Sequence, residues 1–199
     1  MTCRLSMRAQ GAASLLAATC VLCPLARSQV GAPGTPASLA DAISEEKVKT
    51  AFVIRFLNYV EWPVTSFPKP ETPCVIGVIG APALASELEK SVAVPGPGRR
   101  QIVVRQIGES DAMPDVHVMF IGAVDPSTVK RWLSLANLEP VLLITEVDGT
   151  LPKGSMINFR LVENRVRFDV ALEQAERVGL KMNSRLLSVA MTVTKGSAP

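Results

Sequence analysis

The chain contains one histidine, His117, in 199 residues. A metal site built from several imidazoles is therefore excluded. Cysteine is nearly as scarce, because Cys3, Cys20 and Cys23 all fall within the first 28 residues and only Cys74 stands beyond them. A chain cut after residue 28 can form no internal disulfide, and one remaining thiol cannot supply a thiolate metal set. Those 28 residues also hold no acid. The uncharged run from Gly11 to Leu25 is interrupted by Pro24 and is shorter than the ~18–20 apolar residues that a membrane-spanning helix needs.

The charge that is present is unevenly placed. Lys and Arg number 21 against 18 Asp and Glu, a formal +3. Setting aside Arg4, Arg8 and Arg27 leaves 18 of each sign. A neutral body lacks the electrostatic footprint of a nucleic-acid binder. Two arginines ahead of an apolar run, followed by Ala26-Arg27-Ser28, have the form of a secretory signal cut before Gln29. The expected organisation is a signal over 1–28, a flexible Gly/Pro/Ala/Ser leader over 29–43, one domain over 44–194 and a disordered tail over 195–199. The mature chain is expected to be exported and not itself to span a membrane.

Periodicity predicts the elements of that domain. Ser44 reads as an N-cap with Glu45 and Glu46 at the positive end of a helix, Val48, Phe52, Phe56 and Val60 recur every four residues, and Trp62-Pro63 reads as its end. Short, continuously apolar segments follow: CVIGVIG (74–80), QIVVRQI (101–107), VHVMFIG (116–122) and VLLIT (141–145). Helical stretches separate them at Pro82 to Ser91 and Pro126 to Asn137. Strands that are apolar throughout are covered on both sides, so the fold class is α/β: a single domain with a mixed, mostly parallel sheet and helices on both faces. MINFRLV (156–162) and RVRFDVA (165–171) flank a turn at Glu163-Asn164 and predict a late hairpin with one wet face. C-terminal helices are predicted over Leu172 to Val178 and Ser184 to Val193, separated by Gly179.

Reactive groups are sparse. Gly77 and Gly80 lack the third glycine of a dinucleotide loop and read as a tight turn before a helix. In Gly149 to Ser155 the lysine precedes the second glycine, and the segment leads into a strand, so no helix N-terminus waits for a phosphate. His117 reads as a hydrogen-bonded residue at a sheet surface and Cys74 as a buried, inert thiol, although both lie on strands and a nucleophile–base pair is left open. Glu61, Asp115, Asp148 and Asp169 are dispersed and read as solvated surface. No catalytic residue, metal site or cofactor is expected, and the pattern is that of a binding or regulatory module rather than an enzyme.

Several motifs occur together and in order: a Lys-led amphipathic helix ending in Trp-Pro (48–63), C-V-I-G, V-x-F-I-G, Gly-Ser-Met-Ile-Asn-Phe, R-V-R-F-D and Leu-Leu-x-x-Ala, the last three within 153–190. This arrangement resembles the YfiR-like family of exported bacterial proteins from about Glu45 to Val193. The resemblance implies an α/β fold and the role of a periplasmic negative regulator. Such a protein binds the periplasmic domain of a membrane-bound diguanylate cyclase, is sequestered by an outer-membrane lipoprotein, and so controls cyclic di-GMP output and biofilm formation. It places the partner-facing positions at Ile157, Asp169, Ala175 and Val193. Relatives also carry disulfides; here Cys74 is expected to be unpaired, since Val116 stands at its partner position and Leu151 and Asn158 occupy the second pair. Two other functions stay open: a periplasmic ligand-binding sensor component serving a histidine kinase or transporter, and an exported enzyme using Cys74. A homodimer is compatible with either of the binding roles.

Overall fold

A computed structural model describes residues 39–93 and 100–195. The proposed signal, most of the leader and residues 196–199 lie outside the described residues.

The first helix, α1, spans Leu39–Phe56. It begins five residues before Ser44, which is therefore an interior helical residue and not an N-cap, and residues 39–43 of the expected leader are helical. The helix also ends before Trp62-Pro63. Val60 and Glu61 form a short strand, β1, that pairs antiparallel with β8 (Lys181–Met182). The apolar period continued past the end of the helix because Val60 is buried by that pairing.

The main sheet contains β2 (Cys74–Ile79), β3 (Ile102–Gln106), β4 (Val118–Ile121), β5 (Leu142–Thr145), β6 (Ile157–Val162), β7 (Arg165–Ala171) and β9 (Thr192–Thr194). Their order across the sheet is β3-β2-β4-β5-β6-β7-β9. The first five run parallel, β6 and β7 are antiparallel, and β7 and β9 run parallel to each other. The mixed, mostly parallel sheet is that expected of the sequence. β2 and α2 (Pro82–Val92) lead to β3 in one direction, whereas β4 and α3 (Pro126–Ala136) lead to β5 in the other. Right-handed crossovers then put α2 and α3 on opposite faces. α1 packs beside α2.

Continuous burial of β2, β4 and β5 follows from this covering. On the α1 side, Phe52 and Phe56 meet Phe159 and Phe168 at centroid distances of 5.0–6.1 Å, and Phe120 lies 6.2 Å from Phe159. Five of the few aromatic rings thus fasten α1 to the centre of the sheet. On the other side, Trp132 of α3 is fully buried and donates its indole N–H to Glu109 O at 3.2 Å.

The hairpin turn has Glu163 and Asn164 both at positive φ, 49° and 58°, as a two-residue turn matched to sheet twist requires. Beyond it the C terminus departs from expectation. α4 (Leu172–Arg177) and α5 (Ser184–Val189) form, but α5 stops four residues early and the chain turns extended at Ala190. Met191 N–H then bonds Phe168 O at 2.8 Å, and Thr192–Thr194 join the sheet as β9. An open sheet edge beside a Thr-Val-Thr segment outweighs its weak helical pattern.

Candidate partner-binding surface

Three of the four expected contact residues fall on the late part of the sheet and the fourth on a helix, and they do not form one patch. Ile157, Val170 and Val193 lie in register across β6, β7 and β9, on the side facing α1. Asp169 alternates with Val170 and points to the other side. Ala175 lies on α4. Ile157 and Ala175 are fully buried, Asp169 is 5% exposed, and only Val193 is partly accessible. Asp169 was also read as solvated surface; it is buried instead, while Glu61, Asp115 and Asp148 are exposed.

Asp169 belongs to a polar row that sequence alone does not display. Register aligns Thr145 with Asn158, Asn158 with Asp169, and Asp169 with Thr192 across four strands. Asn158 Oδ1 accepts from the Thr145 hydroxyl at 2.7 Å and the Thr150 hydroxyl at 3.3 Å, and Thr145 Oγ1 lies 2.8 Å from Ser155 Oγ. Asp169 Oδ2 accepts from Arg160 Nη1 at 3.2 Å, while its buried Oδ1 has no partner among the described residues. The cluster pins the turn from Glu146 to Ser155 against β5 and β6. Of the two positions where the resemblance implies a disulfide in relatives, Asn158 belongs to this cluster and Leu151 follows its member Thr150 in the chain.

The accessible groups around this row are Arg160, Arg165, Arg167 and Thr192 on one side, with Leu161, Val189 and Met191, each more than half exposed, nearby in the chain. From Arg177 to Lys195 the chain carries four basic residues, the other two being Lys181 and Arg185, and no acid. A balanced body therefore hides a local excess of positive charge at its C-terminal end.

The candidates for chemistry are engaged structurally. His117 Nδ1 accepts from Val75 N–H at 3.1 Å and Nε2 donates to Ser66 O at 2.9 Å. Its ring stacks on Phe67 at 4.3 Å, and Arg100 covers the far face of Phe67 at 4.1 Å. Both ring nitrogens are occupied. His117 bonds Val75 of β2, and Cys74 alternates with Val75 along that strand, so its side chain points to the opposite face from that of Val75. Burial pushes the Cys74 thiol up to about 12, against a smaller opposing pull from Arg100. A thiol held protonated is a poor nucleophile. It is free, with no disulfide partner among the described residues. Gly80, at φ +66°, makes the tight turn before α2, and Gly149 to Ser155 runs through a short 3₁₀ turn into β6, both as expected.

One charged cluster escaped the sequence reading. Lys49, on the inner face of α1, is 6% exposed, with Nζ at 2.7 Å from Glu45, 3.7 Å from Glu46 and 2.5 Å from Glu146. Burial works to lower its pKa, but the hydrogen bonds it donates to Glu146 and Glu45, with the charges of Glu146 and Glu46, leave it raised. Glu46 is also raised, first by burial, with Lys49 opposing and Glu146 and Glu45 adding to the effect. The i,i+4 spacing of Glu45 and Lys49 was visible; Glu146, 97 residues away, was not.

The YfiR/HmsC-like family matches over residues 46–191. The chain belongs to this family. The family is a regulatory, non-catalytic one. Among curated proteins nothing matches. A crystal structure of a conserved domain protein from Vibrio cholerae O1 biovar El Tor is similar in fold, with a TM-score of 0.52 at 12% identity. The alignment covers 75% of this chain and 60% of that one, so this chain spans less than two thirds of that relative. Among the described residues no helix is long and apolar enough to cross a membrane.

Proposed function

We propose that this YfiR/HmsC-like protein is an exported negative regulator that binds the periplasmic domain of a membrane-bound diguanylate cyclase and holds it inactive, an outer-membrane lipoprotein relieving the block. The family match over most of the domain carries this reading. The poverty of reactive groups supports it: among the described residues the thiol of Cys74 is held protonated and the imidazole of His117 is fully hydrogen-bonded. Repression by binding needs a difference in affinity between the two states of the cyclase; moving it from mostly active to mostly inactive takes about 3–5 kcal/mol.

The interface in this reading lies on the late hairpin and the α5–β9 end. Ile157, Asp169 and Ala175 act from within by setting the shape of that surface, and direct contact falls to Val193 and, on the opposite face of the sheet, to Arg160, Arg167 and Thr192, with Val189 and Met191 close by in the chain. Apolar anchors inside a charged rim are the usual composition of such an interface. Deleting the gene is expected to raise cyclic di-GMP, and crosslinking in the periplasm to recover a membrane cyclase. Unchanged cyclic di-GMP under all growth conditions, with no cyclase crosslinked, would refute the reading.

A further inference from the structure

A second feature lies outside the late hairpin. Between α3 and the turn from Glu146 to Ser155 runs a groove of about 730 Å³, within the ~300–1,000 Å³ range of small-molecule sites. It opens where the chain leaves the carboxyl ends of β4 and β5, the edge at which open α/β sheets hold their ligands. Its floor is apolar: Val129 and Leu133 of α3 on one wall, Val147 on the other. Lys130 and Lys153 stand on opposite rims, both exposed and neither in an ion pair among the described residues. The one acid among the lining residues, Asp148, is 91% exposed and lies 4.0 Å from Arg160, a contact that partly offsets its charge. The polar network through Thr145, Thr150, Ser155 and Asn158 holds the turn wall in place, so the groove is formed in advance. Preformed sites lose less of their binding energy to ordering.

We propose that this groove binds a small amphiphilic carboxylate, its apolar body against Val129, Leu133 and Val147 and its anionic head between Lys130 and Lys153. Charge selects the occupant: two ammonium groups outside any ion pair among the described residues, against one exposed carboxylate, favour an anion with a hydrophobic tail over a neutral or cationic amphiphile. The groove adjoins the hairpin surface at Asp148, 4.0 Å from Arg160, but its apolar walls share no residue with that surface.

The test uses the purified mature protein and sodium dodecanoate below its micelle concentration, followed by calorimetry and by the methyl NMR signals of Val129 and Leu133. Saturable binding is expected, with shifts confined to the groove. The rim variant Lys130→Glu/Lys153→Glu, which touches only exposed side chains, is expected to weaken binding about tenfold or more, equivalent to about 1.4 kcal/mol. Ser134→Phe, placed on the exposed rim, is expected to block the groove without unfolding the core. Dodecanamide, with the same tail and no charge, is expected to bind weakly. Absence of saturable binding up to about 1 mM, unchanged affinity in either variant, or equal affinity for the amide would overturn the proposal.

Discussion

Replacing Lys49 by Met removes the only cation from a group of three carboxylates. The methionine fills much of the same volume, so the change is electrostatic rather than a cavity. Glu45, Glu46 and Glu146 would then face one another with side chains only 31%, 24% and 18% exposed. Removing one partner of a fully buried pair costs about 3–5 kcal/mol. The residual exposure of the acids and their freedom to turn toward water reduce that to roughly 2–3 kcal/mol. The loss has a pH signature. Glu46 already has a raised pKa, so its contribution to stability is fully present below the ordinary Glu value of 4.5 and is lost as pH rises through its folded value. Without Lys49, which opposes that rise, Glu46 binds its proton still more readily when folded, and the Met variant should regain most of its deficit on acidification from pH 7 to about 4.5. Urea melts of both proteins at the two pH values measure this directly. A deficit under about 0.5 kcal/mol at pH 7, or an equal deficit at both pH values, would refute the reasoning, because an uncompensated acidic cluster predicts neither.

Further outcomes follow from other parts of the fold. With its thiol pushed up to about 12, Cys74 should resist a thiol reagent at pH 8 until denaturant is added, and Cys74→Ser should keep regulatory function; rapid labelling of the native protein would contradict the burial. A Cβ at Gly122 would come within 2.7 Å of Gly80 O, a backbone atom, so Gly122→Ala should cost about 1–3 kcal/mol in a thermal melt, whereas alanine at exposed Ser188 should be nearly silent. Asn158→Ala leaves the Thr145 hydroxyl without its acceptor and should cost about 1–3 kcal/mol, with faster hydrogen exchange in the turn from Glu146 to Ser155.

Much of the architecture was legible because its causes are local. Continuous apolarity marked β2, β4 and β5 as covered on both faces, and β7 spans Arg165–Ala171, the segment its alternation outlined. The two ends of the domain were misread for different reasons. At the N-terminal end α1 starts at Leu39, ahead of the apparent cap at Ser44, and the fourfold apolar period ran through Val60, although that residue is buried by pairing with Met182. At the C-terminal end Thr192, Val193 and Thr194 leave the predicted helix because β7 offers them an open edge. The contact residues implied by family resemblance were legible as positions, yet their exposure was not: Ile157 and Ala175 stand in the interior.

By itself, the sequence determined what does not depend on distant partners. The charge excess and three cysteines sit in the first 28 residues, the remainder is electrically balanced with one thiol, and the order of apolar segments specifies an α/β sheet and the family. Tertiary structure decided how residues far apart in the chain share one environment. Only folding brings Glu146 to Lys49, aligns Thr145, Asn158 and Asp169 in one buried row, and sets α3 against the turn from Glu146 to Ser155 to open a groove. Each of these depends on strand register and helix placement, which arise from the packing of the whole core rather than from any single segment.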